Sequence, residues 1–152
     1  MQEQPKRLTK WIMLLPKVSR RNSMIAIDTN IVVRFLTHDD AIQYKKAYKL
    51  FNEHDVFIAD TVILETEWVL RFAYNFDTEQ IADALTKLFG LSNVHINHPS
   101  LLVQAIAWHL QGLDFSDAFH LANSQQCKIF FTFDKKMINA AKNIDTCEVL
   151  AP

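Results

Sequence analysis

The stretch MIAIDTNIVVRFL, residues 24–36, begins as an apolar run typical of a strand and turns polar at Asp28, Thr29 and Asn30. A second apolar run follows at once and is typical of a helix. Polar side chains at the end of a strand are common in open α/β sheets, whose ligands bind at the carboxyl ends of the strands. The same side chains also suit a helix N-cap, so these residues alone leave binding and capping open.

Apolar runs and amphipathic segments alternate along the rest of the chain. Strands that alternate with helices predict an α/β fold, with a mostly parallel central sheet between layers of helices. The predicted strands are residues 24–28, 56–60, 94–97, 128–132 and 147–150. The predicted helices are residues 30–36, 41–52, 62–74, 78–89, 99–110, 115–126 and 135–143. Candidate caps are Asp60–Thr61, Asp77 or Thr78, Asp114 and Asp134.

Length and composition indicate one domain with a substantial core. The chain has 152 residues, 49% of them hydrophobic, and a chain of this size buries enough surface to fold alone. With only two glycines it has neither a P-loop nor a GxGxxG fingerprint. Cys127 and Cys147 show no zinc spacing, and we expect both to be buried thiols of a cytoplasmic protein.

The charge is unevenly distributed. Residues 1–23 carry six Lys or Arg against Glu3, so they hold +5, and the remainder holds −6 of a total of −1. We therefore predict an N-terminal extension at residues 1–23, upstream of a native start at Met24, and one domain at residues 24–150. The apolar part of residues 10–21 is too short to cross a membrane.

Four acids occupy positions where the predicted elements could bring carboxylates together. Asp28 and Asp134 follow the first and fourth strands, so a parallel sheet places both at one edge. Glu65 lies in the helix after the second strand, and Asp117 lies in the first turn of another helix. Each acid also has a structural explanation: Asp134 suits an N-cap, Asp117 complements a helix dipole, and Glu65 and Glu67 suit a solvated helix face.

Acids that converge at one sheet edge would repel one another unless a cation neutralised them. Oxygen ligands without nearby His or Cys select Mg²⁺ or Mn²⁺. Carboxylate-held Mg²⁺ suits hydrolysis of phosphodiesters. Thr29, Asn30, Ser116 and Thr132 are polar neighbours that could orient these carboxylates, and Asp114 is a cap first and a supporting acid second.

Four segments, in order, resemble the motifs of PIN-domain ribonucleases, and more closely the VapC toxins of toxin–antitoxin pairs. They are DTNIVVRFLTHDD, ADTVILETEWVL, GLDFSDAFHLA and FFTFDKKM, which together span most of residues 24–150. The resemblance implies a three-layer α/β/α PIN-like domain that cleaves RNA with Mg²⁺. It also implies that the metal-binding, catalytic acids are Asp28, Glu65, Asp117 and Asp134.

The same resemblance implies partners. These are an RNA substrate, a small VapB-like antitoxin and a second copy in a homodimer. Trp68, Phe72 and Phe76 share a helical face, which suits core packing or a groove for a partner helix. Candidate phosphate contacts flank the motifs at Arg34, Arg71, Lys135 and Lys136.

Two other functions compete with the nuclease. The first is a non-catalytic PIN-like module that binds RNA or protein, and the retention of all four acids counts against it. The second is a receiver-type signalling domain. That fold needs an acid at the end of its third strand, where this chain has VHINHP, residues 94–99.

Overall fold

The computed structural model describes residues 23–152 and divides the chain after Asn97 into two compact units. The predicted extension at residues 1–23 lies, apart from Ser23, outside the described residues. The α/β class is confirmed, with parallel strands among abundant helices. Within residues 23–152, no helix is both long and apolar enough to span a bilayer.

The first unit contains three parallel strands and four helices. Its elements are β1 (Met24–Ala26), α1 (Thr29–Thr37), α2 (Ala41–Glu53), β2 (Asp55–Phe57), α3 (Asp60–Phe72), α4 (Thr78–Phe89) and β3 (Val94–His95). The sheet order is β1-β2-β3, with Ile25 opposite Val56 and Val56 opposite Val94. Helix α1 packs against α2 and α3, and this contact brings the first two sequence motifs together.

The second unit contains α5 (Pro99–Leu110), α6 (Phe115–Ala122), β4 (Ile129–Phe131), α7 (Lys135–Ala141) and β5 (Glu148–Leu150). Helices α5 and α6 form its main packing contact, with Trp108, Phe115 and Leu121 buried. Strands β4 and β5 pair in parallel, with Phe130 opposite Val149. Hydrogen bonds thus join the predicted strands into a three-stranded set and a two-stranded set, one in each unit.

Local signals explain most element boundaries. Asp77 caps α4 in a reciprocal capping box with Gln80, and Pro99 opens α5 at a position where its missing N–H costs nothing. Gly112 follows α5 with a φ of 105°, a left-handed conformation that favours glycine. Asp77, Pro99 and Gly112 therefore mark the start or the end of a helix.

Three predictions about helix ends and cysteine burial were wrong. Helix α6 ends at Ala122 rather than at residue 126, because side chains of the following residues donate hydrogen bonds to its last carbonyls, as Asn123 does to Phe119. Helix α3 begins after Ala59, which makes no side-chain cap, so Asp60 occupies the first turn instead. Cys127 is exposed and Cys147 is partly exposed, whereas both were expected to be buried.

Candidate active site

The first motif places Asp28 and Thr29 at the start of α1. Asp28 is the N-cap, and its Oδ1 accepts a hydrogen bond from the backbone N–H of Ile31 at 3.0 Å. The carboxylate is exposed, so its other lone pairs face solvent. Capping and availability to a ligand are therefore compatible at this residue.

Thr29 links the first motif to the second. Its side chain is buried, and its hydroxyl donates a short hydrogen bond to Oε2 of Glu65 on α3. A fixed donor holds one carboxylate oxygen in place and leaves the other free to accept from elsewhere. Of the residues predicted to orient the acids, Thr29 makes such a contact directly.

The neighbouring acid on α3 has a different role. Glu67 was expected on a solvated helix face, but it is only 2% exposed. Its Oε1 lies 2.9 Å from Nε of Arg71, and its Oε2 accepts from Nη2 at 3.2 Å. Helix α3 thus presents Glu65 to solvent and buries Glu67 against a cation.

The third motif forms an acidic turn at the start of α6. Asp114 is the N-cap, and its Oδ1 accepts from the backbone N–H of Ser116 at 3.1 Å and from the Ser116 hydroxyl at 2.8 Å. Asp117 lies three residues further on and is partly buried. Burial raises the pKa of Asp117, and the negative charges of Asp114 and Asp134 raise it further, against a smaller opposing effect of His120.

The fourth motif caps α7. Oδ1 of Asp134 accepts from the backbone N–H groups of Lys136 at 2.7 Å and Met137 at 3.2 Å. The backbone N–H of Asp134 donates to the Thr132 hydroxyl at 3.0 Å. Asp134 is exposed at the end of β4, where the sequence pattern put it. Thr132 therefore orients the backbone of the cap.

The structure links the predicted residues within each unit. In the first unit, Thr29 is hydrogen-bonded to Glu65. In the second, the charges of Asp114, Asp117 and Asp134 interact. Over residues 23–152, no group of three or more His, Cys, Asp or Glu side chains is arranged to hold a metal ion. The assignment of all four acids to one metal thus stays a prediction.

The predicted phosphate contacts differ in their surroundings. Arg34 donates from Nη1 to Oδ2 of Asp39 at 2.5 Å, and Arg71 is paired with Glu67 and lies over the ring of Phe72 at 4.8 Å. Both guanidinium groups are therefore held by neighbours. Lys135 and Lys136, in the first turn of α7, are exposed.

Two surfaces of the first unit are clearer in the structure than in the sequence. Phe76 is buried, whereas Trp68 and Phe72 are 56% and 57% exposed and lie 5.2 Å apart between ring centroids. A groove also runs between α1 and α2, lined at one end by Asn30. The spacing of Gln43, Ala47 and Leu50 along α2 places them on one helix face, and this is the signal in the sequence that indicates the groove.

A comparison with protein families identifies the chain. The family model described as PIN domain matches residues 25–143, a span that contains all four predicted acids. No curated protein and no solved structure matches the chain. Because the family match covers most of its length, the chain belongs to the PIN domain family.

Proposed function

We propose that this protein is a Mg²⁺-dependent endoribonuclease of the VapC toxin type. The observation that carries the proposal is the PIN domain match, whose span of residues 25–143 includes Asp28, Glu65, Asp117 and Asp134. PIN domains are generally metal-dependent nucleases. The toxin role, the RNA substrate and the metal are proposals that rest on the sequence resemblance and on the local environment of each acid.

The donor chemistry fits a hard divalent cation. Every proposed ligand supplies carboxylate oxygen, the donor type that Mg²⁺ and Mn²⁺ prefer. The raised pKa of Asp117 reflects burial and the charges of Asp114 and Asp134, and a cation would relieve both effects. When bound, the cation would stabilise the negative charge that develops on the phosphodiester.

The chain's own residues supply orientation. Thr29 holds one oxygen of Glu65 through its hydroxyl, so the carboxylate keeps a defined direction before any ligand arrives. Ser116 holds Asp114 in the same way through its hydroxyl and its backbone N–H. We propose Asn30 and Thr132 as further polar supports, each next to a proposed ligand motif.

The proposed partners follow from the toxin assignment. A toxin of this type acts on cytoplasmic RNA, forms a homodimer and is neutralised by a small antitoxin. The exposed pair Trp68 and Phe72 is a suitable surface for a partner helix, since aromatic side chains are enriched in interface cores.

Cleavage of total RNA by the purified full-length protein tests the proposal. We expect discrete products with Mg²⁺, and none in EDTA or with Asp28→Asn. Asparagine is also a good N-cap, so this variant keeps the start of α1 and removes only the charge. Asp77→Asn is the matched control, because it makes the same change at the N-cap of α4 and Asp77 is not a proposed ligand.

The outcomes separate the two candidate functions. Cleavage that requires Mg²⁺ and Asp28 but not the charge of Asp77 supports the nuclease. A folded, metal-loaded protein that binds RNA or a protein partner but cleaves no tRNA, rRNA or mRNA supports the non-catalytic module. Cleavage that persists in Asp28→Asn contradicts the assignment of that residue.

A further inference from the structure

The groove between α1 and α2 is small and has an apolar floor. Its volume is about 180 Å³, and Ile31, Ala47 and Leu50 supply the apolar lining. Sites for drug-sized molecules typically enclose roughly 300–1,000 Å³. This groove therefore suits a smaller group, such as a single flat ring, rather than a whole peptide helix.

A fixed guanidinium stands at the rim of the groove. Arg34 donates from Nε to Oε1 of Gln43 at 2.9 Å and from Nη1 to Asp39 at 2.5 Å and to the Tyr74 hydroxyl at 3.0 Å. Its Nη2 makes no hydrogen bond to any residue from 23 to 152. A guanidinium that is already oriented loses little entropy when it donates to a phosphate.

Two cations, Arg34 and Lys46, line the groove, whereas no acid from residues 23–152 lines it, and Arg34 pairs with Asp39. Lys46 lines the groove and forms no ion pair within the described chain, and Lys45 is exposed beside it. Lys49 of the same helix pairs only loosely with Glu53, at 3.9 Å. In a chain whose residues 24–152 total −6, this local excess of cations favours an anionic ligand.

The position of the groove connects it to the proposed chemistry. Asn30 lines the groove and lies two residues after Asp28, within the first turn of α1. A ligand in the groove would thus extend from the immediate neighbourhood of a proposed metal ligand. A nucleotide combines the two features that the groove requires, a flat ring for the apolar floor and a phosphate for the cations.

We propose that the α1–α2 groove is a subsite for one nucleotide of single-stranded RNA, with the base on Ile31, Ala47 and Leu50 and the phosphate at Lys46 and Arg34. This inference rests on the proposed ribonuclease function and names where its substrate is held. RNA is favoured over a protein partner because the groove is too small for a helix and its rim is cationic.

RNA binding without cleavage tests the subsite. The full-length protein is titrated in EDTA with a labelled single-stranded uridine hexanucleotide, and affinity is measured by anisotropy at several salt concentrations. Loss of one phosphate contact lowers the log–log salt slope by about 0.7 for a single strand, which corresponds to about fivefold weaker binding at 0.1 M salt. We expect this change for Lys46→Gln, and a change of less than half that slope for Lys45→Gln, the matched control outside the groove.

A second measurement locates the base. We expect the methyl resonances of Ile31 in the groove to shift when the hexanucleotide is added, while those of Ile42, exposed on α2 outside the groove, stay in place. An amphipathic helical peptide, titrated in parallel, should leave Ile31 unchanged.

The proposal is overturned if the protein binds and cleaves RNA while Lys46→Gln matches Lys45→Gln and Ile31 does not shift; the nuclease function then stands. It is also overturned if Ile31 responds to the peptide and not to RNA. Failure of the wild-type protein to bind or cleave any RNA would contradict the proposed function itself, and the subsite with it.

Discussion

The hydroxyl of Thr29 connects two motifs that lie 36 residues apart in the sequence. We predict that Thr29→Val destabilises the protein by about 1 kcal/mol, the usual net contribution of one side-chain hydrogen bond. Valine fills nearly the same volume, so the loss comes from the hydroxyl rather than from packing. Urea unfolding measures this difference, and RNA cleavage should fall because Glu65 loses its fixed donor.

Thr29→Ser is the control for that prediction. Serine keeps the hydroxyl and loses only a methyl group, so cleavage should stay closer to the wild-type rate than in Thr29→Val. Equal cleavage by Thr29→Val and the wild-type protein would show that the Thr29–Glu65 contact has no part in orienting the acid.

The raised pKa of Asp117 predicts that the metal-free protein becomes less stable to unfolding as the pH rises. The fold disfavours the ionised carboxylate through burial and the charges of Asp114 and Asp134. The cost in stability is therefore absent below the unfolded-state pKa, grows as pH rises through the folded-state pKa, and is complete above it. In EDTA at pH 7, Asp117→Asn should unfold at a higher temperature than the wild-type protein, and the difference should vanish in acid.

With Mg²⁺ added, the wild-type protein should become more stable than Asp117→Asn. At a Mg²⁺ concentration one hundred times its dissociation constant, the wild-type protein gains about 2.7 kcal/mol of stability. Asp117→Asn should gain less, because it lacks one of the proposed ligands. Equal stabilisation of both proteins by Mg²⁺ would exclude Asp117 from the metal site.

At the residue scale, the sequence predicted which residues cap helices better than it predicted which residues are buried. The capping role of Asp134 follows from the type of residue at the end of an apolar run, and the structure confirms it. The opposite environments of Glu65 and Glu67 could not be predicted, because both neighbour apolar residues on the same helix. The difference depends on Arg71, which covers Glu67 from one turn away.

At the scale of one helix, the Glu67–Arg71 pair should stabilise α3. Removal of one partner from a buried pair leaves an uncompensated charge, and we predict that Arg71→Ala costs about 3 kcal/mol in unfolding free energy. Glu67 is almost fully buried, whereas Arg71 is about one-third exposed, so the cost comes mainly from a buried carboxylate that loses its guanidinium partner. Chemical denaturation measures it.

The double variant Glu67→Gln/Arg71→Ala separates charge from packing. It should recover part of the lost stability, because the amide replaces the buried charge. If Arg71→Ala instead left stability unchanged and weakened RNA binding, the residue would be a phosphate contact, as its position beside the second motif first indicated.

Helix ends were predicted best where the spacing of apolar residues agreed with a capping residue. The pattern of residues 78–89, with Asp77 before it, matches α4 at both ends. The end of α6 was missed because no glycine or proline follows Ala122, while the side chains of Asn123 and Ser124 donate hydrogen bonds to helix carbonyls. The sequence also did not predict that Trp68 and Phe72 are exposed, because large aromatic residues at helical spacing usually indicate a core.

At the scale of the whole molecule, the α/β class followed from the alternation of strands and helices, and the parallel pairing of β1, β2 and β3 confirms it. Asp28 and Asp134 became candidates because each follows a predicted strand, and Asp117 because it lies in the first turn of a helix. Glu65 became a candidate from its place one turn into the helix after the second strand. Their combination into one metal site depends on distances between distant segments, which periodicity does not encode. The shared metal site therefore stays a prediction, and the Asp28→Asn and Asp117→Asn variants test two of its four acids.

The charge distribution gives a final prediction for the full chain. Residues 1–23 hold +5 against −6 for the rest, so they supply most of the attraction to a polyanion at long range. A chain that starts at Met24 should therefore bind RNA more weakly and with a shallower salt dependence, yet retain Mg²⁺-dependent cleavage, because the family match begins at residue 25. A full-length variant with its six N-terminal Lys and Arg changed to Gln controls for length and should behave like the shortened chain. If the shortened chain lost cleavage at saturating RNA while the charge variant kept it, residues 1–23 would belong to the folded domain rather than to an extension.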